Sequence, residues 1–190
     1  VCNMKRQRQI DESKEMIASA FVRLLRKHGY DDLTLSQIAD HAGVNRMTLY
    51  RHFKSKEKII LYRAQKTLEE HEARVAGERQ PIRELIYQRL EWVRNLPQLP
   101  ILLRSREIEE LLDAFSTTSH RPALEQSIGK RFEDDPYLFH FYFGGVTRII
   151  REWLRNGCHE SSREITDRII SLTRSFISLN RGMVADPAGG

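Results

Sequence analysis

Leu33 to Glu57 reads LTLSQIADHAGVNRMTLYRHFKSKE, and the rest of the chain is organised around it. Thr34 and Gln37 have the spacing of a capping box, in which each side chain satisfies the other's backbone N–H at a helix start. Leu35, Ile38, Ala39 and Ala42 then recur at helical spacing, which predicts a short amphipathic helix over 34–42. Gly43 follows, and glycine ends helices because it takes positive φ without a steric penalty. Asn45 is the next N-cap candidate, and Val44, Leu49 and Phe53 share an inward face. The opposite face carries Arg46, Met47, Thr48, Tyr50, Arg51 and His52. Two short helices joined by a tight turn, the second polar on its outer face, predict a helix-turn-helix. The second helix of that motif lies in the major groove and offers side chains to base edges and phosphates.

Arg46, Met47 and Thr48 are the expected base readers, and Tyr50, His52, Lys54 and Lys56 the expected phosphate contacts. Thr34, Ser36, Asn45 and Arg51 complete the expected DNA-binding set. A lysine in the first turn of a helix is unfavourable against the helix dipole unless that end faces an anion, which is the reason to include Lys56. Charge distribution agrees. Residues 1–60 hold 12 Lys+Arg against 7 Asp+Glu, whereas residues 61–190 hold 19 of each. The whole basic excess lies on the segment carrying the helix-turn-helix, as a polyanion partner requires.

Gly43-Val44-Asn45, Thr48-Leu49-Tyr50, His52-Phe53 and Ser55-Lys56-Glu57 together resemble the signature of the TetR family of transcriptional regulators. The resemblance runs from about Ser13 to Leu61. Met47 departs from the small or proline-like residue often found there. The resemblance implies a homodimer on a palindromic double-stranded DNA operator. It also implies a C-terminal domain that both dimerises and houses a pocket for a small apolar or amphipathic effector. Effector binding would move a long connecting helix and change the spacing of the two recognition helices, the behaviour of an effector-responsive repressor. A TetR-like activator or adaptor, whose C-terminal domain binds a protein partner instead, is the alternative.

The remaining pattern predicts an all-α fold without strands. A three-helix DNA-binding domain over 1–60 is followed by a helical dimerisation and ligand-binding domain over 61–190. Lys5, Arg6 and Arg8 form a basic arm ahead of a helix from Ser13 that ends at Gly29. Ser55 caps a connecting helix running to about Ala76, roughly 30 Å at the standard rise. Pro81 opens a helix through Asn95, and Pro97 and Pro100 break the chain. Ile101–Phe115 reads as a helix, Ser116–His120 as a polar loop, and Pro122 opens a weaker helix through about Phe132. Asp134-Asp135-Pro136 punctuates, and a Gly/Pro-rich loose tail follows Arg181.

Tyr137–Asn156 is the most apolar helix. Phe139, Phe143, Val146, Ile150 and Trp153 step by 4, 3, 4 and 3, and Ile165, Ile169, Leu172, Phe176 and Leu179 repeat that spacing behind a Ser161/Glu164 capping box. These two seams are the expected dimer interface. Trp92, Phe115, Tyr137, Phe141 and Tyr142 are the expected walls of the effector pocket. His140 is read either as an interior or interface histidine or as a polar contact to the effector. Gly144-Gly145 suits a close approach of another helix.

No catalytic motif of the serine-hydrolase, phosphate-loop or dinucleotide type is present, so the chain reads as a non-enzyme without cofactor. Cys2 and Cys158 offer neither a disulfide framework nor metal spacing, and the seven histidines have no ligand spacing. No apolar run approaches a membrane span and no secretory pattern precedes the first helix, which points to the cytoplasm.

Overall fold

The computed structural model describes residues 2–75, 81–128 and 136–184. Nine α-helices and no strands occur among them: α1 (Cys2–His28), α2 (Leu35–Ala42), α3 (Arg46–His52), α4 (Lys56–Val75), α5 (Ile82–Arg94), α6 (Leu99–Leu102), α7 (Arg106–Ile128), α8 (Pro136–Arg155) and α9 (Ser162–Val184). Packing divides the chain into two compact units. One is Val1–Gly77 with Pro97–Phe115; the other is Glu78–Leu96 with Ser116–Gly190.

In the first unit, Ile17, Phe21 and Leu25 of α1 form one buried cluster with Ile38 and Ala39 of α2, Leu49 of α3 and Ile59 of α4. Leu102 of α6 and Ile108 of α7 join it. Apolar residues at 3.6 spacing on each helix meet in a single core, which fixes how the short α3 is presented. The N-terminal arm is not loose, because α1 begins before it. No Gly or Pro interrupts residues 2–12, and one-turn pairs support the helix. Gln7 Nε2 donates to Asp11 at 3.1 Å and Arg8 Nε meets Glu12 at 2.9 Å.

In the second unit, α5 buries Ile86 and Leu90, α8 buries Phe139, Trp153 and Leu154, and α9 buries Ile165 and Ile169. The α8–α9 turn is closed by Trp153 Nε1 donating to the Glu160 carbonyl at 2.9 Å. The expected capping box forms there too, with Ser161 N–H on Glu164 Oε2 at 2.8 Å and Glu164 N–H on Ser161 Oγ at 3.2 Å.

Two expectations change here. The Ile101–Phe115 helix, the polar loop and the helix from Pro122 are instead a short α6 and one continuous α7, with Pro122 inside it. Arg106–Glu110 and Arg121–Glu125 pairs span single turns of α7, and Glu107 and Glu109 suit its N-terminal dipole. Helical neighbours therefore carry a residue that alone would end the helix. The end of that helix at Phe132, the Asp134-Asp135 punctuation and the tail beyond 184 lie outside the described residues.

The second change concerns the heptad seams. Phe139, Trp153, Ile165 and Ile169 are at most 4% exposed within the single chain. Phe143, Val146 and Ile150 are half-buried, Leu172 is exposed, and the Phe176 side chain lies outside those described. The chain's own helices meet at far higher effective concentration than a second copy does, so the most apolar stripes are used internally first. Among the described residues no helix is long and apolar enough to cross a membrane.

Candidate nucleic-acid interface

The reading head is built by local chemistry. Thr34 Oγ1 accepts from Gln37 N–H at 3.2 Å while Gln37 Oε1 accepts from Thr34 N–H at 2.8 Å, closing the capping box at α2. Gly43 ends α2 at φ 69°, with its N–H on the Asp40 carbonyl at 3.2 Å and the Val44 N–H on Ala39 at 3.1 Å. Two residues later Asn45 Oδ1 accepts from Met47 N–H at 2.8 Å and starts α3. Leu49 and Phe53 are buried. With that inner face pinned, the outer face has one orientation.

Arg46, Met47, Tyr50, Arg51 and Lys54 are exposed, Met47 by 75% and Tyr50 by 47%, while Thr48 and His52 are half-buried. Ser36 is half-buried on α2, and the exposed Thr34 has its hydroxyl engaged in the cap. Asn45 is exposed with its carbonyl oxygen engaged likewise.

Lys56 is placed differently from the free phosphate ligand expected. Its Nζ donates to the Tyr30 carbonyl at 2.8 Å and lies 4.1 Å above the Tyr30 ring. Beside it, the Tyr30 hydroxyl donates to the Glu57 carboxylate. Burial would raise the Glu57 pKa, but hydrogen bonds from Ser55 and Tyr30 and the Lys56 charge hold it below the usual range. Burial, then the Glu57 hydrogen bond and charge, push the Tyr30 phenol well up. Lys56, Glu57 and Tyr30 thus clasp the start of α4 to the turn after α1.

His52 has its Nε2 buried without a hydrogen-bond partner. Burial, then the charges of Arg51 and Lys14, depress its pKa below the ordinary histidine value. Lys14 reaches this region from α1, with its Nζ 5.9 Å above the Tyr62 ring. Tyr62 packs edge-on to Phe53 at 5.4 Å between ring centres, and its hydroxyl donates to Glu15 at 3.2 Å. Burial and the Glu15 carboxylate push the Tyr62 phenol up to about 12. Lys14, Tyr30 and Tyr62 are absent from the expected set. Each acts across 26 or more residues of chain, or through a neighbouring helix, so no local motif marks it.

The expected effector residues differ in exposure and in the unit they belong to. Tyr137 is 85% and Phe141 59% exposed, and His140 is exposed. Phe115 belongs to the first unit and is half-buried. The second unit instead contains an aromatic row: His120 lies 6.3 Å from both Trp92 and Phe143, and Phe143 stacks on Phe139 at 5.3 Å. Tyr142 packs against Phe139, and burial raises its phenol while the hydroxyl meets Thr173. One turn before Trp92, Gln88 Oε1 is buried without a hydrogen-bond partner. His120 and Gln88 carried no sequence signal, since a lone polar residue on an amphipathic helix looks like its solvent face. Among the described residues no group of three or more His, Cys, Asp or Glu side chains could hold a metal ion.

A capped helix-turn-helix with its inner face buried and a basic outer helix exposed defines a helix-turn-helix regulator. Comparison with known proteins is consistent at both ends of the chain. Residues 17–62 match bacterial regulatory proteins of the TetR family, and residues 106–175 match a transcriptional regulator C-terminal region. The chain belongs to the TetR family of transcriptional regulators, a non-enzymatic family. An uncharacterized HTH-type transcriptional regulator of Bacillus subtilis (strain 168), YerO, is 38% identical over 52 residues, which is 27% of this chain and 18% of that relative's length. Among solved structures, a TetR regulator from Streptococcus agalactiae 2603V is similar with TM-score 0.62 and 18% identity, covering 90% of this chain and 98% of that one. The fatty acid degradation regulator FadR from Bacillus halodurans is similar with TM-score 0.58 and 19% identity, covering 84% and 93%. NalD, the secondary repressor of the MexAB-OprM multidrug efflux pump in Pseudomonas aeruginosa, has TM-score 0.54 and 22% identity, covering 85% and 93%. These structural likenesses establish the fold.

Proposed function

We propose that this chain is a sequence-specific, DNA-binding repressor that acts as a homodimer on a palindromic operator and is released by a small effector. The observation that carries the reading is the exposed outer face of α3, with Arg46, Met47, Tyr50 and Arg51 held outward by Asn45, Leu49 and Phe53. Arg46 reads guanine, since a guanidinium bonds O6 and N7 together. Tyr50, Arg51, His52 and Lys54 meet phosphates, and Lys56 serves chiefly to hold α4 in place. Repression is the action that needs least of the chain, because occupying an operator is sufficient to block a promoter. The regulator works in the cytoplasm, where the operator is.

An open stripe on α8 supports dimerisation. Tyr137, Phe141, Gly144, Gly145, Arg148 and Glu152 recur at helical spacing, and all are exposed. A Cβ added at Gly144 or Gly145 meets nothing within 4 Å, so a partner helix has room to approach closely. This face, rather than the buried seams, is the proposed two-fold contact.

The effector is apolar or amphipathic and lies along the Trp92–His120–Phe143–Phe139 row. A donor on it would satisfy Gln88 Oε1, in keeping with mostly apolar pockets that carry a few placed polar groups. Selection of duplexes from a random-sequence pool by the purified protein tests the central claim. The expected result is an enriched inverted repeat with half-site centres about 34–36 Å apart. No enrichment over several rounds would overturn the reading.

A further inference from the structure

The flank of α3 carries a cation cluster assembled from two helices. Lys14 comes from α1; Arg51 and His52 are the last two residues of α3. Tyr62 forms the bridge: Lys14 Nζ lies over its ring, and its edge packs on Phe53, the residue after His52. The charged and titratable groups around this spot are Asp11, Lys14 and Glu15 from α1, Arg51 from α3, and Tyr62 and Arg63 from α4. Both carboxylates are engaged elsewhere. Glu15 accepts from the Tyr62 hydroxyl and from Arg63 at 3.1 Å, and Asp11 accepts from Gln7. The side of the cluster facing His52 is therefore positive.

We propose that Lys14, Arg51 and His52 form a phosphodiester clamp on the flank of the recognition helix, and that His52 takes up a proton from solvent as a phosphate docks. The inference rests on the DNA-binding reading above. In the free chain desolvation, then the charges of Arg51 and Lys14, hold the imidazole below the ordinary histidine range, and its buried Nε2 has no partner to stabilise a charge. A phosphate brings negative charge to the same spot and reverses that balance. Lys14 supplies a charge from outside the helix-turn-helix, so the clamp also ties α1 to the DNA backbone. Because each bound protomer holds one proton more than in the free state, DNA affinity rises as pH falls through the window between the two His52 titrations.

The test uses the full chain and a labelled duplex enriched from a random-sequence pool by the wild-type protein. Affinity is measured by anisotropy across a KCl series and between about pH 5.5 and 8. Lys14→Met should reduce the salt slope by roughly one unit for each protomer of the dimer, and Lys14→Arg should restore it. Wild-type affinity should rise by up to about tenfold per pH unit for each protomer on acidification within the window, with His52→Gln distinctly flatter. The His52 ring resonance of the wild-type protein should titrate at higher pH in the complex than in the free chain, a readout that needs no variant. An unchanged salt slope in Lys14→Met overturns the clamp. A pH profile shared by wild type and His52→Gln, or an unmoved His52 titration, overturns the proton uptake. A pool that enriches no duplex instead removes the DNA-binding reading beneath both.

Discussion

Arg46 and Lys54 are both exposed cations on the reading head, yet their removal should have different consequences. Arg46→Ala is expected to weaken binding to the selected site by about 1–3 kcal/mol and to relax preference at one base position. Lys54→Ala should weaken all duplexes alike and lower the salt slope by roughly one unit for each protomer of the dimer. Competition binding against single-base variants of the selected duplex separates the two behaviours. Tyr30→Phe addresses the clasp at α4. It keeps the ring under Lys56 but deletes the donor to Glu57, so urea denaturation should report a loss of about 1.5 kcal/mol. Unchanged stability would mean that water replaces the hydroxyl at no net cost. His52 adds a pH dependence to the free protein. Its folded pKa lies below the unfolded value of 6.5, so the unfolded chain binds the proton more readily. Stability is therefore full above about pH 6.5 and erodes as pH falls below it. Denaturation midpoints between about pH 5 and 7 should slope less in His52→Gln than in wild type.

At the scale of elements, α2 and α3 are too short to persist alone and depend on their ends as well as their inner faces. Asn45→Ala removes the acceptor for the Met47 N–H and should lower stability by about 1 kcal/mol. DNA affinity should fall further than stability alone explains, since the frayed turn carries Arg46 and Met47. Gly43→Ala meets no steric neighbour, so its penalty is purely conformational, about 1–2 kcal/mol for a Cβ at φ 69°. Thermal unfolding of the two variants checks both figures. α7 illustrates the opposite case, in which an element outlasts a local stop. Pro122 stands inside it, and the turns around it are held by Arg121–Glu125 and the His120 ring nitrogen at 2.9 Å from the Ser116 carbonyl.

For the whole molecule, the buried seam and the open α8 stripe make separable predictions. Ile169→Ala empties a fully buried position and should destabilise the fold by about 2–5 kcal/mol. Phe141→Asp, on a side chain 59% exposed, should leave a single chain folded but place a charge in the proposed two-fold contact. Sedimentation at micromolar concentration should then find wild type at twice 22.3 kDa and Phe141→Asp at 22.3 kDa. A wild-type monomer would overturn the dimer.

Signals that act within a turn or two were legible in the sequence. The Thr34/Gln37 box, the Gly43 stop, the Asn45 cap and the inward Leu49 and Phe53 are each decided by a few adjacent residues, so the helix-turn-helix and its outer face follow from them directly. The all-α class follows from 3.6-residue periodicity for the same reason. Only the tertiary structure decided where rival faces and rival partners went. Both heptad seams could have met a second copy or the chain itself, and the chain's own helices took Phe139, Trp153, Ile165 and Ile169. The Lys56 ammonium could have stayed in solvent, but Tyr30, 26 residues away, offers both a carbonyl and a ring. Such outcomes are competitions between surfaces distant in sequence, settled by which contact removes most apolar area or best satisfies a charge.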